Sequence, residues 1–233
     1  MLAHQSRGEI CHVCHAQGRR RPPARRPHAR PAETADEADG AARQPRRMEK
    51  RVARYKGIRG GIIHADQFIP GHEREMIPLI GLGVSENKDD PSVQPKIPFP
   101  AYGFTAAFAR CGPGKGAGLH WHETEEVFMP VDGAWEIYWL EGKAERAVRI
   151  EAGDVISVPV GIYRGFRNVG RKTATLFAVV GGPDTGDVHW HPSMIAKAEA
   201  AGIPIDSHGV SQGLPVDAKP AKTKRAGKGR RVR

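Results

Sequence analysis

The sequence predicts an all-β fold, an antiparallel sandwich or barrel, over residues 102–182. Two observations support this prediction. Short apolar runs recur every eight to twelve residues, and glycine or proline separates each run from the next. Short strands at regular spacing with tight turns are typical of sandwiches and barrels. The predicted strands are YGFTAAFAR, AGLHWH, EEVFMPV, AWEIYWL, ERAVRI, DVISVPV, GFRNV and TATLFAVV.

The flanking segments are less regular. Residues 48–101 are predicted to be an N-terminal extension that packs on the barrel, with apolar spacing in 62–84 that suits short strands or one short helix. Four prolines predict a loop over 85–100. Residues 183–213 are predicted to be a C-terminal extension with one short helix at Ser193–Ala201.

Both ends of the chain are basic and poor in large apolar residues, so we expect disordered tails at residues 1–47 and 214–233. The formal net charge of +10 divides into +5 for residues 1–47, −2 for 48–213 and +7 for 214–233. The body is therefore close to neutral, which does not indicate a nucleic-acid-binding surface despite the basic tails. We also hypothesise that Met48 is the initiator and that residues 1–47 are not translated.

Cysteine usage and hydropathy predict the compartment. Three cysteines cannot form a disulfide framework, and no apolar run is long enough for a signal peptide or a membrane span. We therefore expect a soluble cytoplasmic protein. Cys11, Cys14 and His15 fit a haem-attachment pattern, but a pattern this short arises easily by chance and no export signal accompanies it.

The chemistry centres on three side chains. His120 and His122 alternate on a predicted strand, so both point to one face at a spacing that lets them share a metal. Glu126 would lie on the order of 13 Å from His122 on a straight strand. The chain must therefore turn at Glu123–Thr124 if Glu126 belongs to the same site.

These residues resemble two motifs of the cupin superfamily. The first is Gly114, five residues, His120-x-His122, three residues, Glu126, six residues, Gly133. The second is Gly153, five residues, Pro159-x-Gly161, two residues, Arg164, three residues, Asn168. The resemblance implies a jelly-roll β-barrel and a homodimer. It says little about activity, because cupins include dioxygenases, isomerases, lyases, storage proteins and sugar-binding regulators.

Arg164 departs from the pattern, because metal-binding cupins have a third histidine at this position. Three interpretations stay open. His120, His122 and Glu126 hold a divalent metal (Fe, Mn, Ni or Zn) while Arg164 binds an anionic substrate. Alternatively, Arg164 replaces the metal and pairs with Glu126. In the third interpretation the histidines are polar residues of the interior without a site function.

The resemblance and the residues together suggest two functions. One is a small-molecule metalloenzyme, a dioxygenase or a metal-assisted isomerase or lyase, with Arg164 and Glu126 as catalytic residues. The other is a metal-free module that binds a sugar or an organic acid. We expect Arg164, Trp135, Trp139 and Tyr102 to line the substrate pocket. The second His-x-His pair, His189 and His191, is a possible alternative source of a ligand.

Overall fold

The computed structural model describes residues 45–82, 90–182 and 188–203, with side chains from residue 48 onwards. The two tails, the haem-like motif and the alternative initiation hypothesis concern residues that lie mainly or wholly outside these ranges. In the part of the chain described, no helix is long and apolar enough to cross a membrane.

The described residues form ten strands and one α-helix. The strands are β1 (Arg74–Ile80), β2 (Phe104–Cys111), β3 (Gly116–Trp121), β4 (Glu126–Pro130), β5 (Ala134–Glu141), β6 (Ala144–Glu151), β7 (Ile156–Val158), β8 (Arg164–Asn168), β9 (Ala174–Gly181) and β10 (His189–Trp190). The helix α1 spans Pro192–Ala200. Three short 3-10 helices lie at Pro45–Arg51, Ala65–Phe68 and Pro91–Val93.

The strands make two five-stranded sheets, with every ladder antiparallel. The order is β1-β2-β9-β4-β7 in the first sheet and β10-β3-β8-β5-β6 in the second. All eight strands predicted from the apolar runs are present, so the all-β prediction is confirmed. The predicted helix is also present, beginning one residue earlier than expected.

Two strands come from the flanking segments. β1 pairs with β2 along its length, and β10 pairs with β3 at Trp190–His120 and His189–Trp121. The extensions on both sides of residues 102–182 therefore supply an edge strand to each sheet. Ala65–Phe68 and α1 also contact β3, which closes the fold around that strand.

The core lies between the sheets. Phe128 of β4 and Phe166 of β8 make an edge-to-face contact at 5.5 Å between ring centroids, and Trp135 packs on Phe166 at 6.1 Å. Buried aliphatic side chains from both sheets surround these rings. Burial of this apolar surface is the main stabilising contribution to the sandwich.

Motif residues outside the site have structural roles. Gly133 has φ +75°, a conformation that L-residues rarely adopt, and a Cβ there would lie 2.5 Å from the Ala174 Cβ. Asn168 is fully buried, and its amide donates hydrogen bonds of 2.8 Å to the carbonyls of Cys111 and Lys172. These two residues therefore maintain turns between strands.

Candidate functional site

The three candidate ligands come from neighbouring strands in different sheets. His120 lies near the end of β3, His122 follows that strand directly, and Glu126 is the first residue of β4. The chain bends at residues 123–124 and passes from one sheet to the other. This is the turn that the sequence required for Glu126 to reach the histidines.

The bend brings the three side chains together in the interior. One ligand atom of each of His120, His122 and Glu126 lies within 4.8 Å of the others. His122 Nε2 is 3.8 Å from Glu126 Oε2, and the two imidazole centroids are 5.0 Å apart. All three residues are buried. The cluster is a set of donors of the kind that binds Fe(II), Mn(II) or Zn(II).

The hydrogen bonding of His120 defines its tautomer. Its Nδ1 lies 2.7 Å from the Gly118 carbonyl oxygen, which can only accept, so Nδ1 carries the hydrogen and Nε2 carries the lone pair. Burial, and then the positive charge of Arg164, hold the pKa of His120 well below its ordinary value of 6.5. His120 is therefore neutral at physiological pH, with the lone pair of its imidazole on Nε2.

Arg164 occupies the same interior. It is the first residue of β8, between β3 and β5, and its side chain is 2% exposed. Its Nη2 and Nε donate to one oxygen, Glu126 Oε2, at 2.5 Å and 3.1 Å. Its Nη1 donates to the His120 carbonyl oxygen at 3.1 Å. Arg164 thus forms a buried ion pair with the carboxylate of the candidate metal site.

This ion pair bears on whether a metal fits. Burial raises the pKa of Glu126, and Arg164 offsets part of that rise by its charge and hydrogen bonds. A dication 4 Å from the guanidinium would be repelled by about 8 kcal/mol at an effective dielectric constant near 20. The donor types suit a metal. The charge balance does not, because the guanidinium of Arg164 already pairs with Glu126 Oε2 and would repel a dication.

Two cavities adjoin the pair. The first, the histidine cavity, has a volume of about 80 Å³, and His120, His122 and Glu126 lie on its wall. The second, the arginine cavity, has a volume of about 310 Å³. Its lining residues are Arg164, Trp139, Ile137, Ile156, Ser157, Val158, Pro159 and Ile162. Arg164 lines one cavity and its partner Glu126 lines the other.

Comparison with known families identifies the architecture. Residues 107–180 match the family described as cupin domain. The chain contains a cupin domain. Its two sheets and the motif positions described above agree with the resemblance seen in the sequence. A search of the curated proteins finds no match.

Solved structures match parts of the chain at low similarity. They include a Lactobacillus farciminis oxalate decarboxylase formate complex, with 21% identity and a TM-score of 0.40 over 53% of this chain and 32% of that chain. Hazelnut (Corylus avellana) vicilin has 15% identity and a TM-score of 0.34 over 38% and 26% of the two chains. Peruvianin-I, a cysteine peptidase from Thevetia peruviana latex, has 17% identity and a TM-score of 0.43 over 59% and 76%. This chain spans about a third or less of the length of the first two.

The aromatic residues expected in the pocket separate into three environments. Trp139 lines the arginine cavity beside Arg164. Trp135 is 0% exposed in the core, and its Nε1 donates to the Asp132 carbonyl at 2.9 Å. Tyr102 is 82% exposed, because it precedes the turn at Gly103 that leads into β2. Trp135 and Tyr102, which were expected in the substrate pocket, do not line either of these two cavities.

The second His-x-His pair lies apart from the cluster. His189 stacks on Trp121 at 3.9 Å between centroids. His191 caps the N-terminus of α1 through the Ser193 amide and contacts the ring of Tyr163. The residue between them, Trp190, packs on His120 at 5.3 Å. The pair therefore contributes its tryptophan, not its histidines, to the surroundings of His120.

Sequence reasoning did not identify His64 and Arg74, which also line the histidine cavity. His64 lies beside the 3-10 helix Ala65–Phe68 and packs on Trp190 at 6.3 Å. Arg74 begins β1 and forms a buried ion pair with Asp66 at 2.7 Å. No motif or spacing marks either residue, because the contacts that bring them to the cavity are long-range.

Proposed function

We propose that this cupin domain is a metal-free binding module for a small organic acid, with Arg164 in the place of a metal-ligating histidine. The observation that carries the proposal is the buried Arg164–Glu126 pair. It neutralises the one carboxylate of the cluster and places two guanidinium donors on Glu126 Oε2, the oxygen that lies 3.8 Å from His122 Nε2. This is the second of the interpretations that the sequence left open.

The arginine cavity suits an acid with an apolar body. Apart from Arg164 and Ser157, its walls are apolar. Among the described residues Arg164 makes three hydrogen bonds, which use three of the five N–H groups of a guanidinium and leave two for a ligand. A volume of about 310 Å³ is near the lower end for ligand sites, which favours one ring or a short chain.

The position of Trp139 supports the same ligand class. Trp139 pairs with Arg164 across β5 and β8, so its indole and the guanidinium lie side by side at the cavity wall. A carboxylate bound by Arg164 would place its apolar part against Trp139. Burial of that part would contribute about 25 cal/mol for each Å² removed from water.

Binding of matched acid and amide pairs tests this function. Isothermal titration calorimetry with phenylacetate and octanoate, each against its amide, should show tighter binding of the acids. Trp139→Ala should weaken binding, whereas Trp121→Phe should not, because Trp121 stacks on His189 away from the cavity. Amides that bind as tightly as the acids would refute a role for the guanidinium charge.

A metal-dependent enzyme is the second candidate, and the clustered donors of His120, His122 and Glu126 favour it. In that function Glu126 would release Arg164, which would then hold an anionic substrate. Elemental analysis of protein purified without added metal separates the two functions. Near-stoichiometric iron, manganese, nickel or zinc would favour the enzyme. Trace metal far below one equivalent would favour the metal-free module. The homodimer expected from the cupin resemblance stays a prediction.

A further inference from the structure

The histidine cavity contains two polar groups that its own walls do not satisfy. Arg74 Nε and His64 Nδ1 are buried and have no hydrogen-bond partner among residues 48–82, 90–182 and 188–203. Both residues line the cavity. Buried polar groups are almost always hydrogen-bonded in folded proteins, so two such groups on residues of one cavity wall point to a hydrogen-bond partner inside the cavity.

Arg74 presents the donor geometry that suits a carboxylate. Its Nη1 and Nη2 donate to the two oxygens of Asp66 at 2.8 Å and 2.7 Å, and the side chain is 2% exposed. Its Nε–H lies on a different edge of the planar guanidinium, together with the second hydrogen of Nη2. That edge can hold a carboxylate through two parallel hydrogen bonds.

Asp66 keeps this edge in position. Its Oδ2 also accepts the Gly118 amide of β3 at 3.1 Å, so the aspartate ties Arg74 to the strand that carries His120. Arg74 Nη1 donates in addition to the carbonyls of His72 at 3.0 Å and Gly116 at 3.4 Å. The guanidinium is therefore held rigidly before any ligand arrives, which limits the entropy lost on binding.

The cavity also limits the size and charge of its ligand. One water needs about 10–15 Å³ of such space, so about 80 Å³ corresponds to roughly five to eight atoms the size of water. Most of the remaining wall is aliphatic or aromatic, for example Ile63, Met76 and Phe166. Among the described residues that line the cavity, the one guanidinium nitrogen without a partner is Arg74 Nε, so the cavity suits one carboxylate on a short apolar chain.

We propose that the histidine cavity is a second ligand site, for a short-chain monocarboxylic acid whose carboxylate accepts from Arg74 Nε–H and lies beside His64. This site is independent of the proposed organic-acid site at Arg164. The two use different arginines and different cavities. Acids of about four to six non-hydrogen atoms fit the smaller site.

Nuclear magnetic resonance of the ¹⁵N-labelled full chain tests the site, with sodium acetate as the probe and sodium chloride holding the ionic strength constant. Acetate should shift the Arg74 Nε–H resonance with one saturable curve, and acetamide should not. The resonance is assigned by its loss in Asp66→Asn/Arg74→Gln, which removes both charges together. That double variant should bind acetate roughly tenfold or more weakly, the loss expected for a charge-assisted hydrogen bond.

Ala109→Val keeps the test decisive if the double variant fails to fold. Ala109 lines the cavity, so added methyl groups should fill it and abolish the acetate response. Ala147→Val on the exposed strand β6 is the matched control and should bind as the parent does. An unshifted Arg74 resonance, equal binding of acetamide, or parent-like binding by Ala109→Val would each overturn the proposal. Binding of phenylacetate at Arg164 would be unaffected by any of these outcomes.

Discussion

Replacing Arg164 by histidine tests the central feature of this cupin domain. The parent buries an ion pair between Arg164 and Glu126, with side chains 2% and 7% exposed. Without metal, Arg164→His leaves the Glu126 carboxyl buried without its cation. Breaking a buried pair in this way costs about 3–5 kcal/mol. For a domain of this size the melting temperature should fall by roughly 6–20 °C.

The same substitution should create metal affinity. It removes a repulsion of about 8 kcal/mol between a dication and the guanidinium, and it adds a neutral nitrogen donor beside His120, His122 and Glu126. We therefore expect the parent to bind no manganese or zinc at stoichiometric levels and Arg164→His to bind one equivalent. Metal should also restore most of the lost thermal stability, because a ligand that binds only the folded state stabilises it.

Inductively coupled plasma mass spectrometry after dialysis gives the metal content, and differential scanning fluorimetry with and without EDTA gives the stability. Arg167→His is the matched control. It adds a histidine to the same strand, but at a half-exposed position that pairs with Glu136. Stoichiometric metal in the parent would refute the displacement of metal by Arg164. An Arg164→His variant with neither metal affinity nor a lower melting temperature would show that Arg164 does not lie in the site.

Three further predictions concern other parts of the interior. Glu126→Gln should cost about 3–5 kcal/mol in urea unfolding, and Glu126→Gln/Arg164→Gln should recover much of that loss, because the double variant leaves no unpaired buried charge; additive losses would contradict the pairing. Trp135→Ala should cost about 3–5 kcal/mol of unfolding free energy in the same assay, as expected for a core aromatic, but the folded fraction should still bind the acid. Trp139→Ala should weaken acid binding and lower the unfolding free energy much less, because Trp139 lines the arginine cavity. Burial lowers the pKa of His64 to about 3, so between pH 8 and pH 5 the unfolded state takes up a proton that the folded state does not. The free energy of unfolding should therefore fall by at most about 2 kcal/mol over this range. His64→Phe should flatten this pH dependence and the control His189→Asn should not; an unchanged slope in His64→Phe would contradict the role of His64.

Much of the fold is encoded locally. The eight predicted strands from β2 to β9 are all present because alternation of apolar side chains and glycine turns act over a few residues. The clustering of His120, His122 and Glu126 was also predictable. It needs only a strand period of two and one bend at residues 123–124, both of which can be read from neighbouring residues.

The tertiary structure decided what the cluster can bind. Arg164 could be placed beside the histidines from its motif, but the sequence could not tell whether it points to a substrate or to Glu126. Likewise, His64 and Arg74 reach the histidine cavity only because β1 joins the first sheet and Asp66 bridges Arg74 to β3. These choices depend on charge balance and packing among residues far apart in the chain. Local periodicity carries no information about such contacts, since they form only when the two sheets close on one core.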